Sequence, residues 1–160
     1  MKIEKIPKDL LKLYAKTRAE VLPEDYLIIK LPLKETVIIE DKIKLIKDSF
    51  FSLVINKDEI TLIIPDNEWK KISDSFLELK IERTYKIISL DLQLQWTITG
   101  YVSFITRLLS EVGISVGTIS CYSKDYLLIK KHDIFMAIQI LTNFLNECKR
   151  LIGGLNKKKD

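Results

Sequence analysis

Three stretches decide the reading of the fold: Lys86-Ile-Ile-Ser-Leu-Asp-Leu92, Thr97-Ile-Thr-Gly100, and Ile114-Ser-Val-Gly-Thr-Ile-Ser-Cys-Tyr-Ser-Lys-Asp-Tyr-Leu-Leu-Ile129. The first reads as a strand. The second opens a helix over 100–112, with Val102, Ile105, Leu108, Leu109 and Val112 on one face and Gly113 in the left-handed position just past its end. The third is a hairpin of strands 114–122 and 125–130. Asp133 then caps a last helix carrying Ile134, Ile138, Leu141, Leu145 and Cys148 along one stripe, which Gly153-Gly154 stops. The βαββα order suits a small ligand-binding module, and nothing in it reads as a reaction centre.

Working outward, the first half follows the same logic. Tyr26 to Leu31 is a strand ended by Pro32, and 40–48 is weakly helical. Phe50–Ile55 and Glu59–Ile64 form a hairpin around Asn56-Lys57-Asp58. Pro65-Asp66 opens a short helix over 66–75, and 76–81 returns as a strand or loop. Asp58 and Asp66 stand at the same offset, 67, from Asp125 and Asp133, which points to a repeated strand–turn–strand–helix unit. Ahead of both, 8–22 is predicted as a helix with Leu10, Leu11, Tyr14, Ala15, Val21 and Leu22 on one side. The domain boundaries follow: an N-terminal helical extension over 1–23, subdomains over 24–84 and 85–152, and a basic tail over 153–160.

The chain of 160 residues is 47% hydrophobic and 30% charged, with a net charge of +4. These figures suit a globular protein of one large or two small domains. Residues 1–22 carry +3 and 149–160 carry +4, so the middle is slightly acidic. A nucleic-acid interface needs a dense basic patch on the folded surface, and none is visible. The longest apolar runs are too short to span a bilayer, and the charged start does not read as a signal peptide. Cys121 and Cys148 have no partner spacing, which places reduced thiols in a cytoplasmic protein. Neither they nor His132, the single histidine, has metal-ligand spacing. Cys121 with His132 is a formal nucleophile pair with no third group to orient it. No phosphate-cradling glycine loop is present. No cofactor is expected.

The segments Leu90 to Gly100, Leu108 to Ser115 and Ile119 to Ile129 resemble an ACT domain, nearest to the small tandem-ACT proteins of the CASTOR type. Phe50 to Val54 and Glu59 to Pro65 are similar to the first half of those proteins. The resemblance spans about residues 24–145 and departs from the family pattern at Cys121, Gly117 and Lys124. It implies an α+β fold of ferredoxin-like βαββαβ ACT units in tandem, here with an added N-terminal helix. It also implies an amino acid or similar small ligand held at an interface between ACT units.

The residues themselves supply matching chemistry. A helix start leaves N–H groups without intrahelical partners and favours a carboxylate. Thr97, Ile98, Thr99 and Gly100 form that start, with a threonine to cap the helix or bond a ligand and a glycine that leaves room for approach. Asp125, at the hairpin turn, can pair with a ligand cation or serve the turn alone. Tyr122 and Cys121 flank it as an aromatic wall and a small polarisable contact. The expected function is a non-catalytic amino-acid sensor, a homodimer acting on an unidentified protein partner. The alternative is a structural or interaction module that keeps the ACT fold without the ligand.

Overall fold

A computed structural model describes residues 6–47 and 49–156. The described chain divides into two compact units, one of residues 23–86 and one of residues 1–22 together with 87–160. The elements run α1 (Lys8–Lys16), β1 (Arg18–Val21), β2 (Tyr26–Leu31), α2 (Thr36–Lys42), β3 (Ser52–Ile55), β4 (Ile60–Pro65) and α3 (Asp66–Ile72). They continue with β5 (Lys80–Asp91), α4 (Tyr101–Ser110), β6 (Val116–Ser120), β7 (Asp125–Lys130) and α5 (Ile134–Asn156). The boundary between the units falls inside β5, after Lys86.

The 23–86 unit is β2-α2-β3-β4-α3 closed by the first half of β5, with strand order β3-β4-β2-β5. Its hairpin pairs Ser52–Ile55 with Ile60–Ile63. The side chain of Asn56 makes the turn by accepting from the amides of Asp58 and Glu59 at 2.7 and 3.0 Å. Alternate residues of β2 and β4, including Ile29, Leu31, Leu62 and Ile64, are buried against Ile39, Trp69 and Ile72. The helix expected over 40–48 starts earlier, at Thr36, and its last turn, Ile43–Leu45, is 3-10. Of 76–81, only the part from Lys80 is strand.

The other unit has the same ferredoxin-like order, obtained in a different way. The second half of β5, α4, β6, β7 and α5 supply five of its six elements. The sixth, a strand beside β5, comes from the N-terminal segment: Arg18–Val21 pairs antiparallel with Ile88–Asp91. This corrects the expectation of one helix over 8–22. Helix α1 ends at Lys16, where Thr17 turns extended at φ −66°, ψ 141°. Thr17 is fully buried, and its hydroxyl donates to the Leu13 carbonyl at 3.0 Å. Val21 therefore sits on a strand and is partly exposed. Residues 6–22 are accordingly not a separate extension. Leu10, Leu11 and Tyr14 pack in one core with Ile88, Leu90, Ile105, Leu109, Leu141 and Leu145.

Both ends of α4 use a left-handed glycine, with Gly100 and Gly113 each at φ +81°. At the C-terminal end the amides of Gly113 and Ile114 bond back to Ser110 and Leu109 at 3.0 and 3.1 Å, a Schellman arrangement. Val112, expected on the apolar face, lies in this turn and is half exposed. Gly153-Gly154 does not stop α5, which continues to Asn156. Each glycine costs only about 1 kcal/mol in a helix, and Leu151 and Ile152 pack on the core just before them. Asp133 ends a 3-10 turn ahead of α5, where its carboxylate meets His132 at 3.3 Å. Residues 157–160 of the expected basic tail lie outside the described residues.

Two outcomes are expected from this arrangement. A chain starting at Pro23 lacks β1 and α1, so amide exchange in β7 and α5 should become unprotected while β2 and β4 stay protected. The second outcome is alkaline. Burial pushes the Tyr101 hydroxyl up to about 12, with the Asp125 charge adding to the shift. An unfolded tyrosine ionises near 10. As pH rises from 10 to 12 the unfolded chain sheds a proton that the folded chain keeps, so stability falls. Tyr101 alone should remove about 2–3 kcal/mol over that window, measurable by denaturant titration.

Candidate functional site

Three segments of the unit formed by 1–22 and 87–160 converge on one cleft of about 250 Å³. They are the loop after β5 (Leu94 to Ile98), the start of α4 (Gly100 to Ser103) and the β6–β7 turn (Ser120 to Asp125). The loop makes a turn in which the Ile98 amide bonds the Gln95 carbonyl at 3.0 Å. The chain then enters α4 through Gly100. A Cβ at Gly100 would meet Leu10 and Phe104 only at ordinary distances, 3.5 and 4.0 Å. Among the protein's own atoms the glycine is therefore required by its φ of +81° rather than by crowding.

No side chain caps α4. Its first amides lack intrahelical acceptors by construction, and the residues bearing them, Tyr101, Val102 and Ser103, line the cleft. Opposite them, Asp125 opens β7, paired in register with Ser120. The Ser120 hydroxyl donates to its carboxylate at 2.6 Å. The turn is closed by the Cys121 amide bonding the Lys124 carbonyl at 3.0 Å. Lys124 reaches Asp91 at 3.2 Å, and that bond raises the lysine's affinity for its proton. At the mouth, Trp96 and Tyr122 face each other with ring centroids 6.4 Å apart and are 71% and 81% exposed. Such exposure is costly for large rings in the isolated chain.

Of the residues singled out from sequence, Ile98, Gly100, Cys121, Tyr122 and Asp125 all line this cleft, and Thr97 and Thr99 do not. Neither threonine caps the helix. Sequence reasoning passed over Trp96 and Tyr101, and took Lys124 only as a departure from the family pattern on the hairpin. A tryptophan in a polar stretch directly after a strand was the available signal for the first. The places of Tyr101 and Lys124 at the cleft become visible only when the hairpin folds back on α4.

Both cysteines are free, Cys121 exposed and Cys148 buried, with burial pushing the Cys148 thiol up to about 11. Among the described residues no group of three or more His, Cys, Asp or Glu gathers to hold a metal ion. No helix among them is long and apolar enough to cross a membrane.

The fold is shared with solved structures at low sequence identity. A protein from Vibrio cholerae, described as a possible transport protein, is 20% identical with a TM-score of 0.65, covering 86% of this chain and 97% of that one. The aspartokinase alpha and beta subunits are 14% identical, with a TM-score of 0.63 over 80% of this chain and 97% of theirs. The ligand-free regulatory subunit of aspartate kinase from Thermus thermophilus is 6% identical, with a TM-score of 0.59 over 78% and 95%. No curated protein sequence matches this chain. Residues 80–143 match the ACT domain, a span that contains every residue lining the cleft.

Proposed function

We propose that this chain is a non-catalytic, cytoplasmic regulatory protein of tandem ACT type, akin to the CASTOR-type proteins, that binds a free amino acid in the cleft at the start of α4. The observation that carries this reading is the convergence of Gly100–Ser103, Cys121–Tyr122 and Asp125 on one cleft from separate segments. A cleft of about 250 Å³ is smaller than the roughly 300–1,000 Å³ of drug-sized pockets, which suits one amino acid. The unpaired amides of α4 would take the α-carboxylate. Asp125 would take the ammonium group, and Trp96 with Tyr122 would cover the side chain. The regulatory subunit of aspartate kinase from Thermus thermophilus, which shares the fold, fits a regulatory role.

The exposed Trp96–Tyr122 pair supports a homodimer in which an ACT unit of a second copy closes the cleft. The ligand would then be held at an interface between units and would act by favouring one packing over another. A regulated protein partner would read that change. A second reading has an observation of its own. Asp125 is already bonded to Ser120 and Lys124 to Asp91, as in a scaffold whose polar groups serve the hairpin alone.

A thermal-shift screen of the twenty amino acids should show one or a few that raise the melting temperature; a flat screen would favour the scaffold. For any amino acid that binds, Asp125→Asn should weaken affinity by roughly 1.5–3 kcal/mol, the scale of a charged hydrogen bond, as read by calorimetry. Unchanged affinity would return Asp125 to the turn.

A further inference from the structure

We infer that the N-terminal helix, which lies outside the ACT match, is a working part of the site, with Tyr14 as a positioning residue for the cleft wall formed by α4. This rests on the amino-acid reading of the cleft. Three residues of one α1 stripe and its end, Leu10, Tyr14 and Thr17, meet the entry to α4. Leu10 stands 3.5 Å from the place of a Cβ at Gly100. The Tyr14 hydroxyl donates to the Tyr101 carbonyl at 2.7 Å and lies 3.5 Å from that of Gly100. The Tyr14 and Tyr101 rings stack at 5.0 Å. Thr17 has spent its one proton on Leu13, so the Tyr101 hydroxyl is the donor in their 2.8 Å contact. Both ends of Tyr101, backbone and side chain, are thereby tied to the N-terminal segment.

These bonds do more than fill a core. A buried hydroxyl is costly unless bonded, and leucine or phenylalanine would pack without that demand. The Tyr101 carbonyl already accepts from the helix one turn on, so the helix does not need Tyr14 to satisfy it. What the bond adds is a fixed position for the first turn of α4. That turn follows a left-handed glycine and has no side-chain cap, so beyond its own helical bonds α4 supplies nothing that fixes where the turn sits. An anion site made of backbone amides gains affinity from such preorganisation.

Tyr14→Phe removes the hydroxyl and keeps the ring. Phe144→Leu perturbs a different ring neighbour of Tyr14, in edge contact at 5.0 Å, and serves as the purely structural comparison. Amide exchange is measured on the protein alone, and affinity with each of the twenty free amino acids, well below the melting temperature. Tyr14→Phe is expected to speed exchange of the Phe104 and Ile105 amides, which bond back to the Gly100 and Tyr101 carbonyls, and to weaken amino-acid binding about three- to ten-fold, the scale of one hydrogen bond. Phe144→Leu should lower the melting temperature without that change in affinity. Wild-type binding that is unaltered in Tyr14→Phe, or weakened equally by Phe144→Leu, overturns the inference and leaves the site reading standing. Wild-type protein that binds none of the amino acids overturns both.

Discussion

The backbone pairing of Arg18–Val21 with Ile88–Asp91 is the constraint on which the unit that holds the cleft depends. A four-stranded ferredoxin-like sheet leaves one flank of its first strand to be covered by the fourth. Here the fourth strand precedes the first in sequence, and the whole 23–86 unit lies between them. Once β1 is in place, the preceding helix is delivered onto the same core. Tyr14 then sits among Tyr101, Phe104 and Phe144 at ring spacings of 5.0 to 6.5 Å. The contacts that complete this unit bridge a long stretch of chain, whereas those of the 23–86 unit are comparatively local. Loop-closure entropy therefore favours earlier formation of the 23–86 unit.

The cleft combines soft and rigid parts in a defined division. Its carboxylate and its lysine are held by neighbours on the hairpin and on β5, so their positions are set before anything binds. Its helix start is held from below by the N-terminal segment. The mouth is different: Trp96 and Tyr122 stand largely in solvent, where little packing restrains them. Such a site has ordered polar groups at its base and adaptable apolar ones at its rim. Polar directionality is the costly part to organise on binding, while aromatic contact tolerates adjustment.

Glycine carries two of the local decisions. Gly100 and Gly113 bracket α4 with the same left-handed φ, so the helix is bounded by backbone geometry at both ends. At Gly113 the following amides satisfy the last carbonyls internally. At Gly100 no side chain caps the helix, and the residues of its first turn line the cleft. That asymmetry makes one end of α4 structural and the other available for chemistry.

Much of this was legible in the residues themselves. The period-2 strands 86–92 and 125–130, the apolar stripe of α4, the left-handed Gly113 and the Asn56 turn are local features, set by side-chain alternation and by backbone sterics. The convergence of Ile98, Gly100, Cys121, Tyr122 and Asp125 could be anticipated because a βαββ order folds its hairpin beside its first helix. Residues 17–22 could not be read correctly. Their apolar spacing fits a helix as well as a strand, and only the unpaired flank of Ile88–Asp91, distant in sequence, selects the strand. The run of α5 through Gly153-Gly154 was likewise decided by packing that outweighs weak propensity. The part of Tyr14 beside the cleft was hidden for the same reason. In sequence it is one apolar residue on a helix face, and its hydroxyl acquires a direction only when tertiary structure places the Tyr101 carbonyl 2.7 Å away.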